Sequence, residues 1–277
     1  MKINLMYNYS LANPIMYINN NKIYIYNNYE KYLLQEINNY EELKEISTLI
    51  TSNKLESHYY NIIKTNNNEL TMKYNNKEYV LLKISNYNCI IKKIELNNNS
   101  ILNRSNWYYL WIKKNDYIIS IREKIIKENP KVDGIIDYYI GMAENSIEYL
   151  KVNMDIGASR NIYTSSKRYS DINNPINIVL DCRERLFAEK IKVQLFEQKK
   201  FFQAEYILNL IRKYELNVNR VYARLLYPTF FFDIIDNNLK IKQISEITKK
   251  TILYENILKE LNLLLKENYK IKKIDWL

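Results

Sequence analysis

The sequence predicts an α+β fold of two lobes, with a small antiparallel β lobe over residues 1–105 and a mostly helical lobe over residues 106–277. In the first third of the chain, short runs rich in Ile, Tyr and Val alternate with Asn-rich turns, which is typical of strands. In the remainder, longer segments carry apolar residues at helical spacing. Strands followed by helices indicate α+β, and 277 residues suffice to bury one large core or two smaller ones.

The predicted elements of the first lobe begin with a strand pair at 15–18 and 23–26, joined by an Asn-rich turn at 19–22. The segment after this pair, as far as residue 33, predicts the start of a helix. A further helix is predicted over about 40–52. Its apolar residues recur at helical spacing: Leu43, Ile46, Leu49 and Ile50.

Three more short strands complete the predicted β lobe, at 60–64, 70–74 and 79–84. Polar turns at Asn66–Asn68 and Asn75–Asn76 separate them. Short strands joined in this way predict an antiparallel meander, in which each strand pairs with the next along the chain.

The second lobe is predicted to consist of helices around one long loop and one short strand. The loop covers 159–177 and carries basic residues, and the strand covers 178–181. The helices are expected at about 137–152, 184–198, 201–214, 218–236 and 246–267. The last of these carries an apolar stripe that predicts packing against the helical lobe rather than a membrane surface.

The composition is that of a globular protein, with 47% apolar and 26% charged residues, but the net charge is +10. A basic surface can attract nucleic acid or an acidic membrane. The lysines are scattered along the chain, which favours a solvated lysine-rich surface. Examples are Lys190, Lys192, Lys199 and Lys200. No run approaches 18 apolar residues and the N-terminus lacks the apolar core of a signal peptide, so we expect no membrane span and a cytoplasmic location.

Several kinds of site are excluded or disfavoured by the rare residues. Only Gly134, Gly141 and Gly157 are glycines, which excludes both GxGxxG and GxxxxGK[ST]. Cys89 and Cys182 are far apart, so neither a zinc site nor a disulfide framework is indicated. His58 is the only histidine, and its context favours a structural or surface role over a catalytic triad.

The segment from Asn174 to Asp181 carries the most distinctive pattern, Asn-Pro-x-Asn followed by a short apolar strand and one carboxylate. A strand would place Asn177 and Asp181 four residues apart on the same side. An amide and a carboxylate held together beside a loop can bind a hard cation such as Mg²⁺. The alternative is a turn followed by a core strand that ends in a surface Asp.

The order of the predicted parts resembles a two-lobed kinase-like fold: a β lobe ending in Val80-Leu81-Leu82-Lys83, then a helical lobe holding a loop, an Asn and a strand-ending Asp. It is similar to the aminoglycoside/choline phosphotransferase superfamily, and within it to bacterial spore-coat kinase-like proteins. In that superfamily a lysine on the third strand contacts nucleotide phosphates, and the resemblance implies Lys83 for this role. It implies that Asn177 contacts both the nucleotide and the metal, and that Asp181 binds the metal. It also implies that Trp107–Trp111 form the hinge between the lobes.

In the superfamily the catalytic loop has the form His-Gly-Asp, four further residues, then Asn. This sequence departs from that form. Ser170 and Ile172 stand at the His and Asp positions, and Asp171, the candidate catalytic residue, is one residue out of register. The expected nucleotide-covering loop has no glycine. The glutamate that would pair with the strand lysine is also not evident, and the candidates are Glu42, Glu45 and Glu95.

The resemblance therefore implies a kinase-fold protein with a degraded catalytic loop and weak or no phosphotransferase activity, which acts in binding or scaffolding. It implies ATP and Mg²⁺ as weakly bound cofactors, with a nucleotide and a protein in an assembly as possible partners. Lys83, Asn177 and Asp181 are then expected to line one cleft. An active small-molecule kinase that uses Asp171 is a variant of this hypothesis. The alternative from another class is a basic nucleic-acid-binding protein, in which Tyr, Trp and Arg stack on bases while lysines follow phosphates.

Overall fold

The computed structural model describes residues 1–19, 22–52, 61–84, 93–94, 100–152, 162–167, 174–196, 203–236 and 241–274. The chain forms two compact units. The first contains Met1–Asn103 and Tyr163–Leu180, and the second contains Arg104–Ile162 and Asp181–Leu277. This division groups residues 163–167 and 174–180 with the first unit, and the predicted lobe boundary near residue 105 stays a prediction.

A six-stranded antiparallel sheet forms the centre of the first unit, with the strand order β1-β2-β3-β6-β4 and β5 paired to β6. The strands are β1 Ile15–Asn19, β2 Lys22–Asn27, β3 Glu30–Ile37, β4 Asn61–Ile63, β5 Met72–Tyr74 and β6 Lys77–Lys83. Two helices belong to this unit, α1 Lys2–Tyr9 and α2 Tyr40–Ser52. The predicted strand pair and the helix over 40–52 are confirmed.

Two predictions for this unit are wrong. The segment near residue 33 forms the strand β3 and not the start of a helix. Its three consecutive apolar residues, Tyr32, Leu33 and Leu34, are all buried because both faces of the sheet are covered, and such a run cannot be assigned by periodicity. The predicted meander is also wrong, since β4 and β5 both pair with β6, which lies between them and β3.

Each face of this sheet carries its own apolar cluster. On one face Tyr32, Leu34 and Leu81 pack with Leu5 of α1. On the other face the sheet cluster includes Leu43 of α2, and its strand members are Leu33, Val80 and Leu82. Strand alternation assigns every sheet residue to the α1 face or to the α2 face.

A second, three-stranded sheet has the order β7-β8-β9. Its strands are β7 Lys93–Ile94, β8 Ile162–Ser166 and β9 Ile178–Asp181. The predicted strand at 178–181 is confirmed, but β8 lies inside the segment predicted as a loop. The polar residues Thr164, Ser165 and Ser166 gave β8 no apolar pattern to recognise.

Helices make up the second unit, and its core is formed by their apolar faces. The helices are α3 Trp107–Glu128, α4 Ile135–Lys151, α5 Arg183–Phe196, α6 Ala204–Lys213, α7 Val218–Leu226, α8 Thr229–Asp236 and α9 Ile241–Tyr269. The single helix predicted over 218–236 is two helices, because Pro228 forces Tyr227 out of the helical region to a ψ of 124°. Within the described ranges, no helix combines the length and apolar character needed to cross a bilayer.

Candidate active site

Asp181, the residue expected to bind metal, is fully buried at the end of β9. The indole Nε1 of Trp107 donates to both of its carboxylate oxygens, at 3.1 and 3.0 Å. The amide of Cys182 donates to Oδ1 at 2.7 Å, and the guanidinium of Arg185 donates to Oδ2 at 2.9 Å. The indole has one N–H, which the two oxygens share, so three protein donors hold the carboxylate and each oxygen accepts from at least two of them.

Local sequence explains this arrangement. The apolar residues Ile178–Leu180 place the end of β9 in the core, and α5 begins at Arg183. The helical turn that follows brings Arg185, four residues after Asp181, back towards the carboxylate. Trp107 begins α3 and is 2% exposed, so its indole must find a partner inside the unit.

Burial raises the pKa of Asp181, whereas the charge of Arg185 and the hydrogen bond from Trp107 lower it. Burial is the larger effect and the pKa of Asp181 lies above its ordinary value, so the protein donors replace the lost solvent only in part. Among the described residues, no group of three or more His, Cys, Asp or Glu side chains could hold a metal ion. The predicted metal role of Asp181 would require this carboxylate to exchange its protein partners for a cation.

A second layer of buried charge lies beside this pair in the same unit. Arg224 donates to Glu189 at 2.5 Å, and its guanidinium lies 5.5 Å from the ring centres of both Trp107 and Trp111. Lys192 is 2% exposed and donates to the backbone carbonyls of Arg224 and Tyr227 at the end of α7. The expectation that Lys192 belongs to a solvated lysine surface is therefore wrong.

The pKa of Lys192 provides a testable pH dependence. Burial lowers this pKa to about 7, although the charge of Glu189 opposes the shift. Between pH 7 and the ordinary lysine pKa the unfolded chain binds one more proton, so the free energy of unfolding rises as the pH is raised through this window. We expect Lys192→Met to remove this rise.

Chemical denaturation between pH 6 and pH 9 measures the effect. The matched control is Lys190→Met, because Lys190 is exposed on the same helix. The free energy of unfolding of Lys192→Met, relative to that of the wild type, should fall as the pH increases, and the difference for Lys190→Met should stay constant. A constant difference for both variants would contradict the assignment.

Lys83, the residue expected to contact nucleotide phosphates, is at the end of β6, the sixth strand of the chain and an interior strand of the sheet. It forms an ion pair with Glu30, and its side chain is 39% exposed. This bond, together with one from the Tyr32 hydroxyl, lowers the pKa of Glu30. The third strand, where the resemblance requires the lysine, is β3, which carries Lys31, Leu33, Gln35 and Ile37 on the α2 face.

Asn177 ends a short 3-10 turn, Pro175–Asn177, that precedes β9. Its carbonyl accepts from the amide of Lys167 at 2.7 Å, and Ile176 packs on the α2 face of the sheet. By strand alternation Lys83 projects from the α1 face. The structure therefore does not bring Lys83 and Asn177 together.

The candidate glutamate partners of Lys83 have other contacts. Glu42 forms an ion pair with Lys167 at 2.6 Å. Glu45 accepts from the Ser100 hydroxyl and from the amide of Ile101. The remaining sequence candidates lie outside the described residues: Asp171, Ser170, Ile172, Glu95, His58 and Cys89.

Sequence reasoning missed several residues that shape these sites. Arg185 could have been found, because it follows Asp181 by four residues at the start of a predicted helix. Gln35 and Lys167 had no such signal, since both depend on strands that the sequence pattern did not predict. The contact between Gln35 and Asn174, at 2.7 Å, spans 139 residues of sequence.

Comparison with known proteins identifies the fold. A family model described as "Spore coat putative kinase YutH" matches residues 2–267. Spectinomycin phosphotransferase APH(9)-Ia in complex with ADP and spectinomycin is 9% identical, with a TM-score of 0.56 over 92% of this chain and 96% of that one. Its AMP-bound complex is 10% identical, with a TM-score of 0.54 over the same shares.

An aminoglycoside phosphotransferase from Alicyclobacillus acidocaldarius is 8% identical, with a TM-score of 0.49 over 91% of this chain and 92% of that one. A search of curated proteins returns no match. The two spectinomycin phosphotransferase structures establish the kinase-like fold for this chain, a small antiparallel sheet with a mostly helical region. This confirms the fold class expected from the sequence.

Proposed function

The chain belongs to the YutH family of spore-coat kinase-like proteins, and on that premise we propose that it is a pseudokinase of a spore-coat assembly. In this proposal its phosphoryl transfer is weak or absent, and it acts by binding or scaffolding a protein partner. The kinase-like fold supplies the framework, while Asp181 and Glu42 are engaged in contacts with other protein groups.

The observation that carries this proposal is the environment of Asp181. A kinase needs the carboxylate at this position to hold Mg²⁺ against the nucleotide phosphates. Here Trp107, Arg185 and the amide of Cys182 occupy the carboxylate oxygens, and the side chain has no exposed surface. A cation would have to displace a buried ion pair in order to bind.

The lysine–glutamate ion pair that active kinases need is a second test of the same proposal. In active kinases a lysine of the third strand pairs with a glutamate of the helix that follows, and both must be in place. In this chain Glu42, on the helix that follows the third strand, pairs with Lys167, a residue outside that strand. This pair differs from the arrangement that an active kinase needs.

We expect ATP with Mg²⁺ to produce little or no thermal shift, and any phosphoryl transfer to be far slower than the roughly 1–100 per second typical of kinases. A specific ligand at about one hundred times its dissociation constant would stabilise the fold by about 2.7 kcal/mol. A thermal-shift titration and a coupled ADP-release assay measure these two quantities. Spectinomycin phosphotransferase is the positive control.

Two outcomes would contradict this proposal or part of it. Rapid ATP-dependent phosphorylation of a small alcohol, abolished by Asp171→Ala, would show that the catalytic loop is functional. A saturable ATP·Mg²⁺ shift that disappears in Asp181→Asn would restore the metal role of Asp181. A shift that survives this substitution would remove that role while leaving nucleotide binding in place.

The alternative of nucleic-acid binding has one supporting observation in the first unit. Tyr17 stacks on Tyr24 and Tyr26, with ring centres 5.1 and 5.2 Å apart, and the ammonium of Lys31 lies within 6 Å of all three rings. Exposed aromatic rings beside a lysine are suited to unpaired bases. Strong phosphate binding requires several cations along a groove, so a single lysine leaves scaffolding as the better-supported function.

A further inference from the structure

The strand β1 forms one edge of the six-stranded sheet, and among the described residues it pairs with β2 alone. It contains neither a charged residue nor a proline, which are common means of keeping another strand away from an edge. Ile15 is 67% exposed and Ile18 is 74% exposed, so the edge offers apolar contacts on both faces of the strand. Such an edge suits the addition of a strand from another protein, whose backbone would pair with the outward-facing groups of β1.

A positively charged group lies beside this edge on the α2 face. The ammonium of Lys31 lies 5.9, 4.7 and 5.5 Å from the ring centres of Tyr17, Tyr24 and Tyr26. The hydroxyls of Tyr17 and Tyr26 are 3.2 Å apart, and their hydrogen bonds with Lys31 raise the pKa of this lysine. Within the described ranges Lys31 forms no ion pair with a carboxylate, so its charge is available to a partner.

The charge around the edge has one sign. Residues 1–29 contain Lys2 and Lys22 but no aspartate or glutamate. Glu30, the first acidic residue of the chain, pairs with Lys83, and by strand alternation it projects from the face opposite to Lys31. A second copy of the chain would bring the same positive charge to the edge, so the charge favours a partner with acidic side chains over self-association.

The geometry of a strand specifies where the side chains of such a partner would lie. An added strand runs about 4.8 Å from its neighbour and points alternate side chains to opposite faces. Side chains on the α2 face would meet Tyr17 and the ammonium of Lys31, which reaches across β2 towards β1. Those on the α1 face would meet Ile18, which shares that face with Met16. Carboxylates suit the first face, and apolar side chains suit the second.

We propose that β1 accepts an extended acidic segment of a partner protein as a further strand of the sheet. The backbone of this segment pairs with β1, its carboxylates contact Lys31 and Tyr17, and its apolar side chains contact Ile18. This inference rests on the proposed scaffolding function, and it names the surface and the chemistry by which the chain would hold its partner.

The first test is fluorescence anisotropy of the full chain with a fluorescein-labelled peptide of alternating Glu and Val, compared with a peptide of alternating Lys and Val. The acidic peptide should bind the tighter of the two. Lys31→Glu should weaken its binding about tenfold, because the change replaces an attraction with a repulsion. Lys73→Glu makes the same change of net charge at an 83% exposed lysine of β5, and should leave binding within about twofold of the wild type because salt screens distant charges.

Amide hydrogen exchange then separates strand pairing from simple attraction between charges. Addition of the acidic peptide should slow exchange in residues 15–19, whose outward amides become bonded, and leave exchange in β5 unchanged. No binding of the acidic peptide would overturn the proposal, as would equal binding of both peptides or binding without slower exchange in β1.

Two further outcomes would overturn the proposal by assigning the edge to another occupant. Tighter binding of a thymidine oligonucleotide than of the acidic peptide would assign the tyrosine rings to bases. A dimer of the chain alone, seen by sedimentation and dissociated by Ile18→Lys, would assign the edge to a second copy. Failure of the pseudokinase proposal would appear separately, as ATP turnover with peptide binding and β1 exchange unaffected.

Discussion

Asp181→Ala is expected to lower the free energy of unfolding by about 3–5 kcal/mol, because it leaves the guanidinium of Arg185 buried without its partner. The side chain of Arg185 is 12% exposed, and burial already lowers its pKa. Trp107 would lose its acceptor in the same step. Urea denaturation of the wild type and the variant, with the same slope for both, measures the loss.

A double variant separates the stability lost by leaving Arg185 without its ion-pair partner from the stability lost by removing the Asp181 side chain itself. Asp181→Leu combined with Arg185→Met replaces both charges with apolar groups, and such replacements of buried pairs are often neutral or stabilising. We therefore expect the double variant to recover much of the stability lost in Asp181→Ala. A double variant as unstable as the sum of its single changes would show that the two residues do not act as a pair.

This result bears directly on function. A carboxylate kept for metal binding sits in an open site, and its removal costs activity more than stability. A carboxylate that anchors a core costs stability when it is removed, whether or not nucleotide is present. A loss smaller than about 0.5 kcal/mol, the range of ordinary surface changes, would favour the metal role and weaken the pseudokinase proposal.

The sequence predicted the position of Asp181 but not its surroundings. The stiff apolar run Ile178–Leu180 specified β9 locally, so the strand and its terminal carboxylate were predictable. The partner Trp107 is 74 residues away in sequence, and only tertiary packing brings its indole to the carboxylate. A local pattern does not reveal contacts this far apart in sequence, and Asp181 is buried, not at the surface as the alternative interpretation expected.

The error at β3 had the largest consequence for the candidate site. Because Tyr32–Leu34 was interpreted as the start of a helix, β3 was missed, and the lysine was sought in the last strand of the predicted meander, at Lys83. With β3 in place, Lys83 lies on the face of the sheet opposite to Ile176. Its role in nucleotide binding remains a prediction, without support from Asn177.

The burial of Lys192 was likewise not predictable from local sequence, because a lysine is normally assigned to the surface. Lys192 is buried since α5 turns it towards the backbone carbonyls at the end of α7, which accept hydrogen bonds from its Nζ. Pro228 creates those open carbonyls by ending α7 early. The break and the buried lysine therefore belong to one feature, which no single segment of sequence reveals.

A chain that ends near residue 245 is expected to lose the fold of the second unit, because α9 supplies a large part of its core. Four core hydrophobic side chains of α9 beyond that point are at most 4% exposed: Tyr254, Leu258, Leu261 and Leu265. Burying each contributes about 1.5–3 kcal/mol, so their sum is comparable to the 5–15 kcal/mol net stability of a whole domain. A truncated chain that melts at the wild-type temperature would contradict this.

Point variants make the same argument without removing the helix. Leu261→Ala should cost about 2–5 kcal/mol, because it leaves a cavity at a fully buried position. Leu263→Ala, two residues away and 44% exposed, should change stability by no more than about 0.5 kcal/mol. Denaturation of the two variants compares equal chemical changes on opposite faces of α9, and equal losses would mean that the helix does not pack by the face described here.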